Sequence, residues 1–465
     1  MSGRLVLTLQ ESFDDYTVFF PPAERVWFTF AAAISEWTGM RLDLAAVLLT
    51  NTAVLISAGL GYHIRRVTAG ASLRFFAGSL LILALMPIAY MSNFGLREHI
   101  VLLGLWPYLV LRISDPEGTI VGWRLRFAIG LWMGSALLLK YLYSVVVVLV
   151  ELADAAIQRR PFALLRIENL VSGAIVAAYL FIWLVLDPSQ REAIEVVVTA
   201  INANLVDLQT SVVRAVYSLA LAVALVLVAR LANVPVRVTA IGLAIVLGAV
   251  IVAWIQSRWY VQHRLPITAA YIVWLWMMRD HLKPLWFAGL ALLISVPVIN
   301  AFRSAAYYQA SASEIDAAMK TSGFSVEGKR VGVLNMNPSP VNQFLAANRA
   351  WRWNTSVNNS YVAAELVSFD RPENAGQAPP SVTLEEPGLK LVHDAMLRLW
   401  EDSPPDALIL DNSRSWPLRF VKVRWREAFA RDERFNAFME QYEPVLDHKG
   451  ELLDFTYFER KTRKR

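Results

Sequence analysis

The chain has 465 residues, a formal net charge of +5 and no cysteine; 56% of its residues are hydrophobic, 18% are charged and 16 are tryptophan. That balance is too apolar for a soluble multidomain protein and points to a polytopic membrane protein. Disulfides, thiolate metal sites and cysteine nucleophiles are excluded, and the basic surplus belongs to inward-facing loops and a basic tail at Arg460–Arg465 rather than to a nucleic-acid surface.

Residues 1–40 read as an outer acidic loop carrying Glu11, Asp14 and Asp15, followed by Pro21-Pro22 and an aromatic helix. Trp27, Phe28, Phe30 and Trp37 recur at helical spacing over Ala23–Thr38, which suits a helix lying in the membrane interface. Met1–Gln10 is too short and lacks the small-residue cleavage pattern of a signal peptide.

A transmembrane domain over 41–303 is expected to hold nine or ten helices. Spans are predicted from about Leu42 to His63, Leu73 to Met91 and onward from His99 to Arg112. Asn93–His99 is expected as the polar mouth between two of them. Trp123–Gln158 is too long for one helix and carries Lys140-Tyr141 at its middle, so it reads as two short helices broken at Lys140. Further spans are predicted near Ile167–Leu186, Val213–Leu231, Thr239–Ile255, Leu265–Met278 and Leu285–Phe302.

Residues 304–465 change to the composition of a soluble α/β domain outside the cytoplasm. Lys329–Leu334 and Ala407–Leu410 read as strands and Leu389–Trp400 as an amphipathic helix; Pro444–Arg460 reads as a hairpin turning at Asp447-His448-Lys449-Gly450. Pro372–Pro387 is a proline-rich loop, and Asn354 and Asn358 match a glycosylation tripeptide that also arises by chance.

Orientation follows from the short loops. One alternating set contains Arg65, Arg66, Arg74, Arg112, Arg124, Arg126, Arg159, Arg160, Arg166, Arg230, Arg237, Arg279 and Lys283, and the opposite set only Arg97, Arg191, Arg258 and Arg264. The rich set is cytoplasmic if Trp123–Gln158 returns to its side of entry. On that assignment the unusual polar residues of the membrane half converge on the outer face: Asp14, Asp15, Arg97, Glu98, His99, Lys140, Arg258, His263 and Arg264. Several cations suit a phosphate or pyrophosphate held at the membrane surface, and a carboxylate beside them suits a general base. The structural alternatives are snorkelling of Arg258 and Arg264 to lipid head groups and an interhelical hydrogen-bond pair for Glu98 and His99. No metal-ligand spacing, phosphate-binding glycine loop or nucleophile elbow is present, so no cofactor is expected and a divalent metal is not indicated.

The phrase Phe94-Gly95-Leu96-Arg97-Glu98-His99 followed by Pro107-Tyr108, the Pro21-Pro22 pair before an aromatic helix, the lysine in a broken hairpin, and the Tyr442-Glu443-Pro444-Val445 and Tyr457-Phe458-Glu459-Arg460 segments resemble bacterial GT-C-type membrane glycosyltransferase-like proteins. The resemblance implies inverting transfer of a sugar from a polyprenyl-phosphate donor to a glycan, lipid or protein acceptor outside the cytoplasm, in the bacterial inner membrane. It further implies an acidic base in the first outer loop, which Asp14 and Asp15 match; in the family a further helix precedes this loop, and the expectation is either an incomplete start or a degenerate member. Glu98 joins them as a catalytic candidate, with Arg97, His99, Lys140, Arg258, His263 and Arg264 as substrate-binding candidates. The competing expectations are a flippase or transporter for a lipid-linked glycan and a non-catalytic assembly subunit.

Overall fold

The computed structural model describes residues 22–88 apart from 41 and 71, then 97–182, 208–256, 261–334, 350–352, 397–412 and 425–461, with a few single positions between them. The helices are α1 (Pro22–Thr38), α2 (Leu42–Ala69), α3 (Leu73–Ile88), α4 (Arg97–Ser114), α5 (Trp123–Leu139), α6 (Ser144–Gln158), α7 (Ile167–Phe181), α8 (Leu208–Leu231), α9 (Val236–Gln256), α10 (Val261–Met278) and α11 (Pro284–Thr321). Among the described residues four segments are long and apolar enough to cross a membrane: Leu44–Ala69, Tyr141–Gln158, Val212–Leu231 and Val236–Gln256. Leu73–Ala84, Ile167–Phe181 and Leu265–Met278 are apolar but shorter.

α4 is the central helix of the bundle. Its residues from Glu98 to Arg112 are almost all buried, packed by α2, α5 and α10. Pro107 lies inside it and cannot donate to the carbonyl four residues back, that of Leu103. The indole N–H of Trp132 on α5 donates to that carbonyl at 3.2 Å, so the acceptor that Pro107 would orphan is satisfied from the next helix.

Small residues set the other crossings. A Cβ built on Gly130 would lie 2.8 Å from the Glu168 carbonyl oxygen, and one on Gly134 would lie 3.0 Å from the Ser172 Cα. This Gly-xxx-Gly face brings α5 onto α7 backbone to backbone. Gly248 does the same for α9 against Val146 of α6. The outer helices keep exposed apolar surfaces: α8 buries Ala222, Leu225 and Ala229 but exposes Val216, Val223, Leu227 and Leu231.

α11 is one helix of 38 residues, about 57 Å at 1.5 Å per residue, far longer than the roughly 30 Å of a bilayer core. The boundary expected at 303/304 therefore falls inside a continuous helix. No proline or glycine interrupts it between Pro297 and Gly323, and its last turns find a partner: Ile315 and Met319 enter the core of the C-terminal sheet.

That sheet has the order β2-β1-β3-β5-β4, with β1 (Arg330–Leu334), β2 (Trp351–Arg352), β3 (Ala407–Asp411), β4 (Tyr442–Lys449) and β5 (Asp454–Arg460). β2, β1 and β3 are parallel; β3, β5 and β4 are antiparallel. β3 is buried along its whole length because both faces are covered. Ala407 and Ile409 share a cluster with Ile315 and Met319 of α11, while the other face meets Trp400, which stacks on Phe438 of α12 (Glu433–Met439) at 5.4 Å.

The structure refines two boundaries. Arg97 and Glu98, read as part of the polar mouth before a span starting at His99, are the first residues of α4, and Glu98 and His99 have buried partners on neighbouring helices. The hairpin turns at Gly450–Leu453 and not at Asp447–Gly450, since strand pairing continues to Lys449 opposite Asp454. Glu314 of α11 holds the turn in place: it accepts from the Leu452 and Leu453 backbone N–H groups, each at 3.1 Å, and its Oε1 lies 3.0 Å from His448 Nε2.

Candidate site at the helix break

α5 ends at Leu139, and Lys140 leaves the helix with φ −157° and ψ 76° before a 3₁₀ turn at Tyr141–Tyr143 and the start of α6. The break turns the lysine inward. Its ammonium pairs with Glu98 Oε1 of α4, with Lys140 8% and Glu98 4% exposed. Lys140 Nζ also lies 5.8 Å from the Tyr143 ring centroid, a cation–π contact in a desolvated setting. Arg97 and Glu98 are both within electrostatic reach of the Tyr143 hydroxyl, and α9 packs against the same turn.

Of the residues singled out from the sequence, the fold brings Glu98 and Lys140 into direct contact and Arg97 beside them. His99 faces elsewhere: its Nε2 lies 3.0 Å from the Leu83 carbonyl, which requires the proton on Nε2 and ties α4 to α3. Asp14, Asp15 and Arg258 lie outside the described residues, as do the side chains of His263 and Arg264. The two glycosylation tripeptides and the proline-rich loop also lie outside them.

Buried polar residues also gather at the other end of the bundle, where the sequence predicts arginines but no acidic partners for them. At the opposite end, where α4 finishes and α5 begins, four arginines and four carboxylates form a buried network. Arg112 pairs with Glu168 and, through Nε, with Glu151 at 3.2 Å. Arg126 reaches Asp115 Oδ2 at 2.7 Å and both oxygens of Glu168. Asp154 takes Arg237 at 2.7 Å and Arg166 at 3.0 Å, and the Tyr108 hydroxyl donates to Glu151 at 2.8 Å. Asp115 also accepts from the backbone N–H groups of Gly118, Thr119, Ile120 and Val121, a turn that needs the left-handed φ of +80° at Gly118.

The arginines were visible in the sequence only as loop charge. The signal for the rest lay in the acids: Glu151 and Asp154 stand three apart on one face of an apolar helix, and Glu168 opens the next one. Carboxylates are too costly in such helices to be there without cationic partners. The network is charge-balanced and joins α4, α5, α6, α7 and α9, so its role is to fix the bundle. Among the described residues no group of histidines and acids is arranged to hold a metal.

No family model, curated protein or solved structure matches this chain.

Proposed function

We propose that the chain is a multi-pass membrane glycosyltransferase that moves a sugar from a polyprenyl-phosphate donor to a glycan, lipid or protein acceptor at the Lys140 end of the bundle. The observation that supports this reading most is the buried Glu98–Lys140 pair at a helix break. An ion pair at the mouth of an apolar bundle costs desolvation energy, and a helix interrupted to make it costs backbone hydrogen bonds as well. In the proposed reaction Glu98, or the acidic loop at Asp14 and Asp15, takes the proton of an acceptor hydroxyl. The acceptor oxygen attacks the anomeric carbon from the face opposite the phosphate, and the carbon–oxygen bond to phosphate breaks with its electron pair remaining on the phosphate. Lys140, with Arg97 nearby, balances the charge that develops there. Inversion follows from the single displacement.

The setting proposed for this chemistry is the bacterial inner membrane with nine or ten spans in a GT-C-like arrangement. In it the Lys140 end and the C-terminal domain lie outside the cytoplasm, and the arginine-rich network end faces inward. α11 is long enough to carry the domain beyond the bilayer on that side.

Purified protein reconstituted with labelled polyprenyl-phosphate sugars and a mixed glycan acceptor should release polyprenyl phosphate. Glu98→Gln should lower the rate by about 100-fold or more if Glu98 is the base. The second reading, a flippase or assembly subunit, is favoured by the fact that Lys140 already neutralises Glu98. Binding of the lipid-linked sugar without release, by folded protein, would select that reading and end the enzymatic one.

A further inference from the structure

At the network end, between α2, α3, α4 and α10, lies a small open cleft of about 50 Å³. Two guanidinium groups face it, Arg65 from α2 and Arg279 just past α10. Arg279 lies over the Trp276 ring at 4.3 Å and the Phe75 ring at 5.4 Å, and its Nη1 donates to the Trp276 carbonyl at 2.8 Å. Its position is therefore fixed before any ligand arrives.

The charge at this cleft is unbalanced. Asp280 pairs with Arg279 at 3.4 Å but is 61% exposed, and among the described residues no carboxylate pairs with Arg65. Two cations against one carboxylate leave one positive charge uncompensated, in contrast to the balanced network a few residues away. Burial, opposed by Asp280 and reinforced by the like charge of Arg65, lowers the Arg279 pKa from its usual value. The Trp276 ring lines the cleft beneath Arg279. Phosphate oxygens match the two guanidinium groups, which only donate. The remaining wall, with Leu109, Val110, Ile113 and Val273, is apolar. That wall offers a free ion no hydrogen bonds to replace those of its hydration shell.

We propose that this cleft binds the phosphate of an anionic membrane lipid, with Arg65 and Arg279 as its ligands. The proposal rests on the membrane placement given above but not on transferase chemistry, and its test reads lipid binding alone.

Native mass spectrometry of the full chain in detergent should show phosphatidylglycerol retained at concentrations at least ten-fold lower than phosphatidylcholine, whose phosphate is offset by a choline cation. Arg65→Gln should abolish that preference while leaving the unfolding temperature unchanged in lipid-free detergent. Arg279→Gln should do the same if it folds; if it does not, Arg65→Gln carries the test. Lys140→Met, at the other end of the bundle, should keep the preference. Equal retention of the two lipids, or an unchanged preference in Arg65→Gln, would overturn the site. Displacement of phosphatidylglycerol by millimolar inorganic phosphate would overturn the lipid assignment in favour of a free-anion site. A protein that binds lipid as described but releases no polyprenyl phosphate would leave this inference standing and remove the transferase.

Discussion

Trp132 on α5 donates its indole N–H to the Leu103 carbonyl of α4, the acceptor left open by Pro107 four residues later. A proline in a buried helix is thus tolerated because a tryptophan on the next helix supplies the missing donor. Trp132→Phe keeps most of the bulk and removes the donor, and it should destabilise the bundle by about 1–3 kcal/mol in detergent. In a Pro107→Ala background the helix recovers its own N–H, so the same substitution should cost markedly less. Equal costs in the two backgrounds would show that the indole N–H is not what compensates the proline.

The buried network should respond very differently from surface ion pairs. Glu168→Gln takes one charge from a site where both Arg112 and Arg126 depend on it, and the expected loss is about 3–5 kcal/mol. Asp316→Asn breaks the i,i+4 pair with Lys320, whose side chain is 71% exposed, and should cost less than about 1 kcal/mol. Thermal unfolding of both variants in one detergent compares them directly; similar shifts would contradict the assignment of the network as a structural pin.

Gly130 and Gly173 test the close approach of α5 and α7. An alanine Cβ at 130 would press on the Glu168 carbonyl oxygen, 2.8 Å away, whereas one at 173 meets nothing within 4 Å. Gly130→Ala should therefore destabilise by about 1–3 kcal/mol through overpacking. Gly173→Ala should be neutral or stabilise by up to about 1 kcal/mol through helix propensity. A reversed order of melting temperatures would refute the proposed contact.

Asp406 should make the C-terminal sheet sensitive to acid. Its carboxylate accepts from the Arg330 backbone N–H at 2.8 Å and pairs with the Arg330 side chain at 3.4 Å. Burial works to raise its pKa, but the Arg330 backbone and side-chain contacts outweigh it, and the net direction is downward. A carboxylate whose pKa is lower folded than unfolded contributes stability that is complete above the unfolded value near 4 and is lost as pH falls through the folded value. Hydrogen exchange at the start of β1 should thus accelerate below about pH 4 beyond the intrinsic pH effect. In Asp406→Asn that extra acceleration should be absent; if it persists, another group is responsible.

Much of the helical architecture was legible in the chain itself. Uninterrupted apolar runs of sufficient length have few stable alternatives to a helix, so α2, α8 and α9 lie close to where hydropathy places them. Lys140 was readable as a break because a lysine followed by two tyrosines near the middle of 36 residues cannot remain in an apolar span, and β3 was readable because a four-residue apolar run after prolines fits a strand covered on both faces. Composition could not show which charges meet. Glu98 finds Lys140 across 42 positions and Arg126 finds Glu168 across another 42, and such pairings depend on which helices a glycine face allows to touch. The same applies to α11, whose sequence turns polar after Phe302 while its backbone continues as a helix, because Ile315, Met319 and Glu314 have a sheet to pack against. Local propensity and hydropathy determined the segments; the neutralisation of buried charge, which requires partners from distant segments, was decided only by the tertiary structure.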